Sequence, residues 1–99
     1  MKPYDQTLQR SSELALAESC KRVAEADNTR NTLQHEARLV GCLVYGGLLD
    51  FYSAWCELLI SAVTGGLDQD EIAPLLRDAF AQAKAKPAKV QLRIVEVVA

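Results

Sequence analysis

Apolar positions are spread unevenly along this chain. From Leu39 to Val63, 18 of 25 residues are apolar and only Asp50 and Glu57 carry charge. Gly46-Gly47 falls in the middle of the block. No other segment can organise a hydrophobic core, so the rest of the chain is read as what packs around it. The block itself predicts one long helix or two short ones, buried on most sides.

Residues 5–25 predict an amphipathic helix. Leu8, Ser12, Ala15, Leu16, Cys20 and Val23 recur at helical spacing and share a face. Glu18 and Arg22 stand four apart in the favourable order for an exposed ion pair. Residues 26–31 are polar and rich in turn formers. Asn31 followed by Gln34 resembles a capping box and places the start of a second helix near Thr32. That helix runs through Leu33, Arg38 and Leu39 into the apolar block. Gly46-Gly47 predicts a kink, a break or a close backbone contact, and Gly65-Gly66 supplies the left-handed residue of a helix C-terminus.

Asp68, with Glu71 three residues on and Leu67 and Ile72 placed as a hydrophobic staple, marks another start. Pro74 lies past the first turn of such a helix, which predicts a short turn over 68–72 and a helix beginning near Pro74. Leu76, Ala79, Phe80 and Ala83 form its apolar face, Lys84 and Lys86 suit its C-terminal dipole, and Pro87 stops it. Over residues 90–98 both strand and helix spacing are present. The β-branched content favours a strand, which would need a partner for its backbone. No internal repeat or low-complexity segment is evident. The expected fold is all-α: one domain over residues 1–99, a compact bundle of three to four helices, with a C-terminal strand as an additional element used in dimerisation.

A block of this length raises the question of a membrane span, since roughly 20 apolar residues cross a bilayer. Asp50 would then sit near the midplane at a cost of about 2.5–3.5 kcal/mol, with Glu57 adding to it, so the span is disfavoured. The net charge of −2 lacks the basic excess of a nucleic-acid binder. Cys20, Cys42 and Cys56 are odd in number and widely spaced, which predicts reduced structural thiols and a cytoplasmic setting. No apolar leader segment opens the chain.

Chemistry-bearing residues are few. His35 is the only histidine and has no Cys or His at the paired spacing of a metal site. The cysteines lack a Cys-x-x-Cys spacing. Asp50 and Glu57, seven apart, would share one helical face, wet or paired with Arg38 or Arg77. No catalytic residue, metal or cofactor is expected, and the chain reads as non-enzymatic.

Two sets of residues point to an interface instead. Tyr45, Phe51, Tyr52 and Trp55 crowd four of six aromatics into eleven residues, more than one core can face, and predict self-association as well as core packing. Residues 50–78 hold six acids against Arg77 alone. Asp68, Asp70, Glu71 and Asp78, with Glu25 and Asp27 in the earlier turn, predict an acidic surface for a basic partner.

In size, helical character and lack of catalytic motifs, the chain resembles the small inhibitors carried by phages and mobile elements, among them the anti-CRISPR proteins. Those inhibitors share no sequence pattern, so the resemblance transfers no residue. It implies an inhibitor or adaptor that blocks a surface of a larger, nucleic-acid-binding complex without touching nucleic acid itself. The alternatives are a small-molecule or lipid-binding bundle with a pocket beside Gly46-Gly47, and a membrane-associated accessory subunit.

Overall fold

Two short stretches, Gly46-Gly47-Leu48 and Gly65-Gly66-Leu67, divide the apolar part of the chain in the same way. In each, the first glycine ends a helix in right-handed geometry and the second takes a positive φ, +80° at Gly47 and +103° at Gly66. The leucine amide then reaches back five residues, from Leu48 to the Leu43 carbonyl at 2.9 Å and from Leu67 to the Ala62 carbonyl at 3.0 Å. Both are Schellman closures, which satisfy carbonyls that a helix end leaves unpaired. An aspartate follows each closure, Asp50 in one case and Asp68 in the other. The chain therefore uses the same local stop-and-start signal twice.

A computed structural model describes residues 3–85, with side chains from Arg10 onward. Among them are four helices: α1 (Pro3–Glu25), α2 (Thr29–Tyr45), α3 (Phe51–Thr64) and α4 (Gln69–Ala85). The apolar block is thus two helices, and no helix among the described residues is long and apolar enough to cross a membrane. The strand expected over residues 90–98, and the stop at Pro87, lie outside the described residues.

Two expected boundaries move. The N-cap of α2 is Asn28, whose Oδ1 accepts from the Asn31 amide at 3.1 Å, so the helix starts at Thr29 and not at Thr32. Asn31 takes part in the cap as a donor. Thr29 is the reason for the earlier start. It is buried, and its hydroxyl donates to the Gly65 carbonyl at 2.9 Å, tying the start of α2 to the end of α3. The second shift concerns α4, which is one continuous helix from Gln69 with Pro74 inside it. Proline inside a helix costs about 3 kcal/mol. Ile72 and Leu76, either side of it, are both fully buried, and burying two such side chains returns roughly 3–6 kcal/mol. The helical bond that Pro74 removes is to the carbonyl of Asp70, an exposed residue within reach of water.

The helices alternate in direction. Arg30 meets Glu71 and Tyr45 meets Phe80, so α2 and α4 run parallel, while Thr29 at the start of α2 meets Gly65 at the end of α3. The most extensive contact is between α2 and α4, and none is recorded between α1 and α4 among the described residues. The core is Val23, Leu33, Ala37, Val40, Ala54, Leu58, Ala62, Ile72, Leu76, Ala79 and Phe80. At Gly41 α2 packs tightly on α4, and Phe80 and Ala83 fill the space a side chain would need.

Candidate protein-interaction surface

The three helix ends that carry the aromatic residues meet around Phe80. Its ring lies edge-on to those of Tyr45, Phe51 and Trp55, with centroids 6.4, 5.6 and 5.7 Å away. Phe51 and Trp55 also stack on each other at 5.8 Å. Lys84 stands 6.0 Å from the centre of the Tyr45 ring, a cation–π distance. Sequence periodicity placed Phe80 on an apolar face but could not show it as the hub of the cluster. Phe51 and Trp55 are one turn apart on α3, but nothing local connects them to residues 45 and 80.

Tyr52 is not in the cluster. Its side chain is 75% exposed and points to the other side of α3. Ile60, at 61%, and Val63 are also exposed on that side, with Cys56 and Leu59 half-buried between them. Tyr52, Cys56, Leu59, Ile60 and Val63 fall within an arc of about 100° on the helix. The inward face of α3 is Ala54, Leu58, Ser61 and Ala62. α1 covers one flank, where Cys20 hydrogen-bonds Ser61, and α4 the other, where Phe80 meets Trp55. Leu59, at one edge of the arc, packs against the core, while Tyr52, Ile60 and Val63 are left exposed. Such an arc exists because α3 carries one charge, Glu57, in 14 residues. Ser53, Glu57, Ser61 and Thr64 occupy one side, apolar side chains the rest of the circumference, and neighbouring helices cover only part of it. Ile60 and Val63 were not expected at the surface; the even apolar content of the helix was the available signal.

Asp50 and Glu57 do not share a helical face. Asp50 is the N-cap of α3, its Oδ2 accepting from the Ser53 amide at 2.9 Å. These hydrogen bonds from Ser53 hold its carboxyl below the usual carboxylate range. Both acids are exposed, in keeping with the wet-side reading.

The acidic residues divide by position. Glu25 ends α1 and Asp27 follows it, while Asp68 precedes α4 and Asp70 and Glu71 lie in its first turn. The Thr29–Gly65 and Arg30–Glu71 bonds bring these segments to one end of the bundle. All five are exposed. Arg30 Nη2 lies 2.7 Å from Glu71 Oε1, so a base sits within the group. Asp78 stands apart, on the rim of a hollow between α2 and α4 that it shares with Gln34, Arg38 and Gln82. The aromatic cluster is at the opposite end, and α3 runs between the two.

One charged residue of the interior escaped the sequence reading. Glu36 of α2 is buried, and Arg22 of α1 donates to its Oε1 through Nε. Arg22 also stands 3.9 Å from Glu18, the expected pair. The signal was present: Glu36 falls between Leu33 and Val40 on the apolar arc of α2, where a charge needs a partner. His35 is exposed beside this pair, in a shallow depression with Asn31, Thr32 and Leu39.

None of Cys20, Cys42 and Cys56 is held in a disulfide. Burial pushes the Cys20 thiol up, against a lowering hydrogen bond from Ser61, and also raises Cys42, which Arg38 partly offsets. Among the described residues there is no group of three or more side chains that could hold a metal ion. Comparison of the chain with protein-family models, with curated proteins and with solved structures gives no match.

Proposed function

We propose that this chain is a non-enzymatic protein-interaction module that docks through the outward face of α3. The observation that carries this reading is the exposure of Tyr52, Ile60 and Val63 on one side of the helix. Exposed apolar surface of this kind marks interfaces, and aromatic side chains such as Tyr52 are the usual anchors. A partner element lying along α3 passes from the aromatic end to the acidic end. There Asp68, Asp70 and Glu71 supply rim contacts to a basic surface. Rim charges of this sort govern association rate and choice of partner more than affinity. In the form that the likeness to phage and mobile-element inhibitors implies, the partner belongs to a larger nucleic-acid-binding complex. A homodimer through Tyr52 and its neighbours is the self-pairing version of the same docking.

The test is recovery of a protein partner from the native host. Wild type is compared with a Tyr52→Lys/Ile60→Lys variant and an Asp70→Lys/Glu71→Lys variant, each checked for unchanged helical circular dichroism. The reading expects the partner to be lost with the first variant and weakened with the second. Undiminished recovery with the α3 variant sinks it.

A further inference from the structure

Two opposite charges share the hollow between α2 and α4 without meeting. Gln34 and Arg38, one turn apart on α2, form one wall, and Asp78 and Gln82, one turn apart on α4, form the other. Half-buried Leu75 and buried Ala79 make an apolar floor. The Arg30–Glu71 and Gly41–Ala83 contacts between these parallel helices set a register that brings Arg38 level with Ala79. Among the described residues, neither Arg38 nor Asp78 is in an ion pair, and neither glutamine side chain has a hydrogen-bond partner. We propose that the hollow binds a free α-amino acid in its zwitterionic form, with the carboxylate on Arg38 and the ammonium on Asp78.

Three features select that class of ligand. The first is charge. A simple anion drawn to Arg38 meets Asp78 as well, and a simple cation drawn to Asp78 meets Arg38, so each is opposed by one wall. A molecule with both charges satisfies both walls, and the planar guanidinium fork matches a carboxylate. The second is hydrogen bonding. A glutamine side chain both donates and accepts. Gln34 stands one turn from Arg38, where its amide can donate to the ligand carboxylate. Gln82 stands one turn from Asp78, where its carbonyl can accept from the ligand ammonium. The third is size. At about 200 Å³ the hollow is smaller than the pockets of drug-sized ligands, which run from about 300 to 1,000 Å³. That space suits a free amino acid and is too small for a nucleotide. The floor of Leu75 and Ala79 favours a small aliphatic side chain over a charged one.

All four polar side chains of the walls are exposed. Water therefore competes for each contact, and the expected dissociation constant is on the order of millimolar. Asp78 and Gln82 are each two residues from Phe80, the α4 residue that meets Phe51 and Trp55 of α3. Two residues along a helix turn a side chain by about 160°, so the hollow opens away from α3. It does not depend on the docking reading above.

The test is a titration of the full chain with glycine, alanine, valine and leucine, followed by heteronuclear magnetic resonance. The reporters are the side-chain amides of Gln34 and Gln82 and the Arg38 Nε–H. Saturable shifts of all three are expected from at least one of the four amino acids by about 20 mM, well above a millimolar dissociation constant. The N-acetyl form of the best ligand keeps only the carboxylate, and its amide keeps only the ammonium. Each is expected to bind about tenfold more weakly or worse, as are the Arg38→Gln and Asp78→Asn variants with the intact ligand. Both substitutions are at exposed positions, and unchanged circular dichroism checks the fold. Arg38→Asp combined with Asp78→Arg can take the zwitterion the other way round and should recover part of the loss. No saturable shift with any of the four overturns the proposal. So does equal binding of either blocked form, or undiminished binding by the single variants, which places the ligand elsewhere. An Arg38 signal moved by Asp78→Asn without ligand, and unmoved by any amino acid, means that the two charges close on each other, and also overturns it. No readout involves a protein partner, so this site and the docking reading fail separately.

Discussion

Gly41 of α2 and Ala83 of α4 hold their helices so close that a Cβ built at position 41 would stand 2.8 Å from the Ala83 Cβ. The Phe80 ring is 3.2 Å from the same point. Replacing a helical glycine with alanine ordinarily gains about 1 kcal/mol. Here the neighbour is a methyl group on a rigid backbone, and overpacking of this kind costs about 1–3 kcal/mol. Gly41→Ala is therefore expected to destabilise, lowering the thermal midpoint by several degrees. Gly41→Ala paired with Ala83→Gly should recover part of the loss. A midpoint raised by Gly41→Ala alone would show that the helices separate freely.

The buried Glu36 carboxylate depends on Arg22 across the α1–α2 contact. Truncating one partner of a fully buried pair costs about 3–5 kcal/mol, but Arg22 is half exposed and water can reach it, so about 1–3 kcal/mol is expected for Arg22→Met. Adding Glu36→Gln removes the stranded charge and should restore at least half of that loss. The double-mutant cycle is read from urea unfolding. Additive losses would mean that the two side chains do not support each other.

Gly65 and Gly66 are adjacent and fixed for opposite reasons. At Gly65, with φ of −77°, a Cβ would lie 2.7 Å from Thr29 Cγ2 and 2.9 Å from the Val23 carbonyl oxygen. Gly66 has open space around it but a φ of +103°. Gly66→Ala is expected to cost about 1–2 kcal/mol through backbone strain. Gly66→Asn should cost less, because asparagine tolerates that region better. The order should reverse at position 65, where Asn is larger than Ala and meets the same walls. Calorimetric midpoints for the four variants decide it.

Asp50 gives a pH dependence of defined sign. Its carboxyl is lowered in the folded state by hydrogen bonds from Ser53. A lowered folded-state value favours the charged form. The contribution to stability is therefore present above the unfolded carboxyl value of about 3.9 and is lost as pH falls through the folded value. Asp50→Ala should lower the midpoint at neutral pH, and the gap to wild type should close on acidification below that point. Asp50→Asn, which also caps, should keep most of the neutral-pH stability and show no such closure. An Asp50→Ala gap that persists unchanged into strong acid would remove the charge from the account.

What the sequence determined by itself was the all-α class and the local punctuation. Gly66 acts through its own backbone and the next few residues, so the Gly65-Gly66 helix end was readable from the chain alone, whereas the caps Asn28 and Asp50, equally local, were read otherwise. The buried face of α4, Leu76, Ala79, Phe80 and Ala83, followed equally well from helical spacing. Boundaries were legible only where no distant contact competed. Thr29 joined α2 because it meets Gly65, 36 residues on, and Pro74 stayed inside α4 because Ile72 and Leu76 are both buried. Only the tertiary structure decided that Gly41 is a close crossing, that Phe80 gathers three other rings and that Arg22 answers Glu36. Each depends on residues far apart in the chain, and spacing along one helix carries no information about its neighbour. The outward arc of α3 shows this limit most directly. Ser53, Glu57, Ser61 and Thr64 mark one polar side of α3, but spacing alone does not rank the apolar side chains around the rest of the helix. Which of its side chains reach the surface is set by where α1, α2 and α4 pack against it.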